Sequence, residues 1–398
     1  MQDNRRYYSL DALRGSMMML GIVLHASQWY LVYPPGGVPL PMDPSRSYLF
    51  DLIMHFIHSF RMPLFFVLAG FFTSLLVGKR DFKGTYQNRF YRIFIPLVLG
   101  IFTLLPLTLV FMVSFLTSAK FGTHQFLGTE EQFQIITAEM EAAGLPTNEP
   151  SFAHLWFLYY LCYFYLLIPI CFWLSRWSLK LNAISFIKSP WLYLLLGAYT
   201  CLTLWPFKGG ALFEGFIYVT PHLPSLLYYG SFFVLGYLFH NHRVILETFS
   251  SHWATFGAIS LVLFPLSMYA THQDLENLSS GEFHLFAVII NAFLTWSLIY
   301  FFIGLFLRFF DKDSPWSLYI SNSSYWVYLL HMPVVVAFAW LLLPLSLPAI
   351  VKFGIIVAGT SIICFVTYHY LVQGSWLGQV LHGKRFNQTW PWLDKSRG

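Results

Sequence analysis

The residues best able to do chemistry in this chain sit where charge is least welcome. Leu10 to Tyr30, LDALRGSMMMLGIVLHASQWY, carries Arg14 and His25 in an otherwise apolar run. On an α-helix that eleven-residue step turns about 1100°, roughly 20° net, and rises about 16 Å. The guanidinium and the imidazole therefore share one face, one at the border of the run and one inside it. Both are costly in hydrocarbon and should face the protein interior or a cavity, which makes this helix a candidate active-site wall. The imidazole, whose unperturbed pKa lies near neutrality, suits general-base chemistry. Alone, Arg14 would read as a snorkelling border residue and His25 as a satisfied interior imidazole. Asp11, one turn before Arg14, either pairs with it or caps the start of the helix.

Four further stretches carry polar groups at membrane depth. DLIMHFIHSFRMPLFFVLAGFF contains His55, His58 and Arg61, with His58 and Arg61 one turn apart and Arg61 near the middle, where an unpaired charge is expensive. Packing is the plainer reading for the histidines, more so for His55 than for His58, and the stretch lacks the ligands for a metal site. Arg89 and Arg92 in NRFYRIFIP stand at i and i+3, a spacing that can grip a phosphate or simply anchor a cytoplasmic border. His154 opens HLWFLYY, where it could orient a hydroxyl while Trp156, Tyr159 and Tyr160 form an interfacial belt. SNSSYWVYLLHMP places Tyr328 and His331 at i and i+3, as interior polar packing or as acceptor contacts. His369 reads as structural.

Positioning these groups requires a membrane fold. With 57% hydrophobic and 10% charged residues and a mean hydropathy of +0.59, the chain is an all-α integral membrane protein, since soluble domains carry about 25% charged residues. Ten apolar segments are long enough to cross a bilayer: 10–32, 50–77, 90–117, 153–175, 190–207, 222–240, 252–270, 284–308, 316–343 and 349–372. Pro206, Pro221 and Pro224 crowd the fifth and sixth. The connections alternate in charge: one set holds Arg5, Arg6, Lys79, Arg80, Lys83, Arg176, Lys180, Lys384 and Arg385 among others, the other only Arg46, Lys120, Lys208 and Lys352. The positive-inside bias then predicts cytoplasmic N- and C-termini. The net charge of +5 follows from that topology, and nucleic acid is not an expected partner.

The rest organises the outer face. YPPGGVPLPMDPSRS reads as an irregular turn that could shape an entrance. Within 118–152, Thr129 and Gln132 form a capping-box pattern, Phe133, Ile136 and Met140 share a side, and Gly144 offers a stop, predicting a short amphipathic helix. Cys162, Cys171, Cys201 and Cys364 all lie in apolar segments and predict packing rather than disulfides. The first span reads as retained, not as a cleaved leader. One domain, residues 1–398, is the simplest account.

LDALRGSMMMLGIVLH, HSFRMPLFFVLAGFF, NRFYRIFIP, HLWFL and YLLHMP, in that order, resemble the successive blocks of the acyltransferase 3 family of multi-span membrane enzymes. The resemblance covers essentially the whole chain. It implies a multi-pass protein of the bacterial inner membrane that moves an acyl group from cytoplasmic acyl-CoA, acetyl-CoA or succinyl-CoA, to a carbohydrate hydroxyl across the membrane, with a periplasmic glucan as acceptor and no metal. Arg14, Arg89 and Arg92 would hold the CoA phosphates. His25 would act as general base, or carry the acyl group covalently, with Arg61 and His58 stabilising the oxyanion or holding a substrate. Trp29, Tyr30 and Trp156 would suit a sugar acceptor by stacking or a membrane interface equally well. A transporter or lipid-linked sugar translocase would instead predict Gly/Pro-broken spans in two related halves, and a sensor or scaffold would need neither charge. Nothing in the sequence signals the oligomeric state.

Overall fold

The computed structural model describes residues 7–34, 40–142, 147, 149–180, 188–212, 219–242, 244–276, 281–382 and 390. Regular structure among them is helical, without strands. The first helix, α1 (Tyr8–Ser27), is followed by α2 (Tyr48–His58), α3 (Arg61–Lys79), α4 (Phe82–Arg89), α5 (Ile95–Phe102), α6 (Leu104–Phe121) and α7 (Glu130–Ala142). Then come α8 (Trp156–Leu166), α9 (Ile168–Lys180), α10 (Pro190–Leu204), α11 (Leu223–Asn241), α12 (Val244–Glu276), α13 (Gly281–Phe309), α14 (Pro315–Leu342), α15 (Ala349–Thr367) and α16 (Trp376–His382). Sequence-distant helices pair: α1 packs chiefly on α14, α3 on α11, and α6 on α14, whereas α12 and α13 form a long hairpin.

Among the described residues six helical segments are long and apolar enough to cross a bilayer: Tyr48–Lys79, Leu104–Phe121, Val244–Glu276, Gly281–Phe309, Pro315–Leu342 and Ala349–Val372. A seventh exists if Ala153–Leu166 and Ile168–Ser178, bent by 58°, count as one. Ten crossings are thus not all met by such helices. The 20-residue α1 is long enough, but Asp11, Arg14 and His25 dilute its apolarity. At 15 residues α10 is short. The stretch 90–117 is interrupted: a π-helix, Phe90–Phe94, leads into α5, which breaks from α6 at Thr103.

Prolines decide several of these breaks, and the bonds they forgo are reused. A proline inside a helix cannot donate to the carbonyl four residues back. Pro63 leaves the Ser59 carbonyl, which accepts from Thr295 Oγ1 at 2.7 Å, and α2 and α3 separate at Ser59 and Phe60. Pro96 leaves the Arg92 carbonyl to the Tyr325 hydroxyl, 2.7 Å. Pro169 leaves the Tyr165 carbonyl to the Tyr86 hydroxyl, 3.2 Å. Pro333, inside α14, leaves the Leu329 carbonyl to His154 Nε2, 3.0 Å. A carbonyl buried without a donor would be destabilising by about 1–3 kcal/mol, and at each of these four prolines a side chain answers it.

The end of the bundle where α1 finishes is tied down by charge. Lys352 Nζ donates to Asp43 Oδ2 at 2.7 Å, both groups almost fully buried. The irregular turn predicted after the first span is irregular where described, and its residues 35–39 lie outside the described set. The predicted amphipathic helix is α7. Its capping box forms, with Gln132 N donating to Thr129 Oγ1 (3.3 Å) and Thr129 N to Gln132 Oε1 (3.0 Å). Ile136 is its one buried residue, and Glu139 holds it to Lys120 at 2.7 Å. Gly144 lies outside the described residues.

Candidate functional site

Three helices bring one cation and three imidazoles together. His25 comes from the last turn of α1, Arg61 from the first residue of α3, and His331 from α14 just before Pro333. His154 enters from the 3-10 turn Ala153–Leu155 that leads into α8. The His25 and His331 ring centroids are 5.2 Å apart, those of His154 and His331 5.5 Å. Tyr328 closes the group, its hydroxyl donating to the His154 carbonyl at 2.7 Å. The charge of Arg61 acts on both His25 and His331.

The hydrogen bonds fix where lone pairs lie. His331 Nδ1 stands 2.7 Å from the Tyr328 carbonyl and 3.0 Å from that of Val327. Carbonyls only accept, so Nδ1 carries the proton and the lone pair of the neutral ring sits on Nε2. That nitrogen is buried and has no hydrogen-bond partner among the described residues. His154 is the mirror case: Nε2 donates to the Leu329 carbonyl, and Nδ1 is buried without a partner among the described residues. His25 Nδ1 donates to Gln28 Oε1 at 3.1 Å, which leaves its Nε2 basic. Arg61 Nε donates to the Met17 carbonyl at 3.0 Å, and the guanidinium lies over Phe65 at 5.6 Å. Arg61 is buried, and no carboxylate among the described residues pairs with it. An unneutralised cation beside neutral imidazoles can stabilise a developing negative charge while one of them takes a proton.

The i, i+3 pair of His58 and Arg61 spans an interruption of the helix at Ser59 and Phe60, and the charge of Arg61 acts on the His58 ring. His58 lines a small cavity of about 20 Å³ with Tyr228, Tyr229, Asn291 and Thr295. Trp156 also stands apart, packed on Phe66, Tyr160 and Tyr229. Trp29 and Tyr30 are not outward-facing aromatics: both are buried, against Phe115 and Phe50.

Arg14 lies toward the start of α1. It pairs with Asp11 at 3.3 Å, donates to Ser321 Oγ at 2.9 Å and lies over Phe72. The charges of Arg14, Arg80 and Arg89 all bear on Arg92, so four guanidinium groups gather at this end. Arg80 is the member sequence spacing misses, since it belongs to the preceding turn. A π-helix, Phe90–Phe94, begins between Arg89 and Arg92. Arg89 donates to Thr73 Oγ1 (3.1 Å) and lies over the Tyr165 ring. Among the described residues no group of three or more His, Cys, Asp or Glu is placed to hold a metal ion.

Gly21 is a site residue with no signal in the sequence beyond being a helical glycine. A Cβ on it would collide with Arg61 Nη2. Gln28, Thr295 and Pro333 escape notice for a similar reason, since each acts only through a partner far along the chain.

Comparison with known proteins gives a consistent picture. Residues 7–369 match the profile of the acyltransferase domain family. The chain is 26% identical over 362 residues to glucans biosynthesis protein C of Escherichia coli O139:H28, covering 85% of each chain. It is 26% identical over 355 residues to the proteins of that name from Salmonella paratyphi B and Salmonella enteritidis, again over 85% of each. No solved structure matches it.

Proposed function

The chain belongs to this acyltransferase 3 family, and on that premise we propose that it transfers an acetyl or succinyl group from acyl-CoA to a hydroxyl of a glucan across the bacterial inner membrane. Both termini lie in the cytoplasm, and residues 1–398 form one transmembrane domain of about ten crossings, in which α1, α10 and α11 complete the set that the longer apolar helices begin. Arg14 and Arg92, with Arg80 and Arg89 behind them, meet the CoA phosphates at the inner border. His25 stands about 16 Å further along α1, within reach of a pantetheine arm.

There the acceptor hydroxyl attacks the thioester carbonyl while His25 Nε2 takes its proton. The tetrahedral oxyanion forms beside Arg61. The C–S bond then breaks, the CoA thiolate leaves with a proton returned from His25, and the ester remains on the acceptor. His154 and Tyr328 hold the acceptor side, with Trp156 and His58 at its margins. The observation that carries this reading is Arg61: a buried guanidinium facing a cluster of imidazoles, with no carboxylate partner among the described residues. One competing base has an observation behind it. His331 Nε2 is a buried lone pair whose tautomer is fixed by two carbonyls.

The test is purified protein with labelled acetyl-CoA or succinyl-CoA and a periplasmic glucan fraction, following CoA release and ester formation. His25→Ala is expected to lose transfer by about 10²–10⁴-fold, the range general-base catalysis supplies, while acyl-CoA binding persists. Full loss in His331→Ala with retained activity in His25→Ala would move the base to His331. Absence of CoA release with any glucan acceptor would remove the acyltransferase reading for this substrate pair.

A further inference from the structure

A groove of about 640 Å³ opens between the segment after α1, the start of α2 and the last turns of α12, well removed from the guanidinium cluster. Its rim is aromatic. Tyr33, Tyr48 and Tyr269 are each more than half exposed, and Tyr33 meets the rings of Tyr48 at 6.4 Å and His272 at 5.4 Å. Asp51 makes the rim rigid, its two carboxylate oxygens accepting from the backbone N–H groups of Val32 (3.0 Å) and Tyr33 (2.9 Å). Deeper in, the wall is Leu52, Met54, Phe264 and Met268, and it ends on His55.

His55 does more than pack. Its Nε2 lies 2.6 Å from Ser267 Oγ, which donates to Asn291 Oδ1 at 2.5 Å, and Asn291 Nδ2 donates to Thr271 Oγ1 at 2.9 Å. Asn291 also lines the small cavity that holds His58. A row of buried hydrogen-bonding groups thus runs from the groove to the cavity that His58 lines. A fissure filled by lipid tails would gain nothing from a rigid carboxylate, a half-exposed tyrosine rim and a polar floor. Rings that present one apolar face beside hydrogen-bonding groups are what a pyranose needs, since it is apolar on its faces and polar at its edge.

We propose that this groove binds a segment of the carbohydrate acceptor at the end of the bundle opposite the acyl donor. The assignment rests on the glycan acyltransferase reading for its ligand, yet binding can be read without any acyl transfer. The experiment uses the full-length protein in nanodiscs, with a β-glucan oligosaccharide series as probe. Binding is followed by saturation-transfer NMR, and KM for the same oligosaccharides is measured in the transfer assay. The variants are Tyr269→Ala, which removes one exposed platform, and Met268→Trp, which fills the groove. Thermal unfolding of each variant verifies folding.

The expected result is ring-proton saturation in the native protein, about tenfold weaker oligosaccharide binding in both folded variants, and a matching rise in KM with little change in kcat. Binding lost in both variants while no acyl transfer occurs with any donor would uphold the groove and sink the acyltransferase reading. Unchanged KM and unchanged saturation in both variants would overturn the groove. So would quenching of the groove by brominated phospholipid that oligosaccharide fails to relieve, which would make it a lipid-filled fissure.

Discussion

Gly21 sets where Arg61 can be. The guanidinium crosses α1 at a position without a side chain, and its Nε is fixed by the carbonyl of Met17 one turn earlier. In Gly21→Ala the new methyl group meets the far end of a flexible side chain, not backbone, so α1 stays and Arg61 moves. Displacement of a reacting-site group by about 1 Å costs on the order of 10²-fold. Gly21→Ala is therefore expected to unfold at or above the native temperature, since alanine favours helix, and to lose about 10²-fold in kcat. Native activity in that variant would show that Arg61 has no exact place to hold. Legibility divides the same way at this scale. Arg14 and His25 were readable because both lie on one helix, where spacing is geometry. Gly21 and Arg61 were not readable as a pair, because their meeting depends on how α1 and α3 cross. His58 and Arg61 mark the limit of that rule: spacing is geometry only while the helix continues, and an interruption at Ser59 and Phe60 lies between them.

At the level of elements, the prolines matter more than the apolar runs. Apolar length showed that helices would be there; it did not show that Pro63, Pro96, Pro169 and Pro333 would each hand a carbonyl to a side chain from another helix. The sequence does mark the places, since a proline in an apolar run always forgoes one bond, but it does not name the donor. Pro333 has the most direct bearing on the site, because the carbonyl it frees sets the tautomer of His154. Pro333→Ala gives α14 back its bond to Leu329 and removes a penalty of up to about 3 kcal/mol. The carbonyl keeps a second lone pair, so His154 is loosened, not released. The expected outcome is an unchanged or higher melting temperature with transfer several-fold slower. A faster Pro333→Ala enzyme would mean that the held orientation of His154 is not the productive one.

For the whole molecule, the charge asymmetry of the connections and the placement of the two candidate sites describe one axis. The four guanidinium groups gather near the start of α1, and the tyrosine-rimmed groove opens beyond its end. Single cysteines in a Cys-free background test the direction. A cysteine at Lys83 is expected to resist a membrane-impermeant maleimide in intact cells, and one at Glu130 to react, with both reacting after permeabilisation; the reverse pattern would invert the proposed topology. The same long-range design constrains how the chain is made. Ser9 bonds Asp311, Arg14 bonds Ser321, and Asp43 meets Lys352 across 309 positions of sequence. A ribosome that has delivered the first helix must therefore complete nearly all of the others before that helix has its partners. Until Lys352 arrives, the Asp43 carboxylate lacks the ammonium group that meets it in the folded bundle. A chain cut short of Lys352 is then expected to leave that buried carboxylate unanswered and to be open to the cell's membrane proteases.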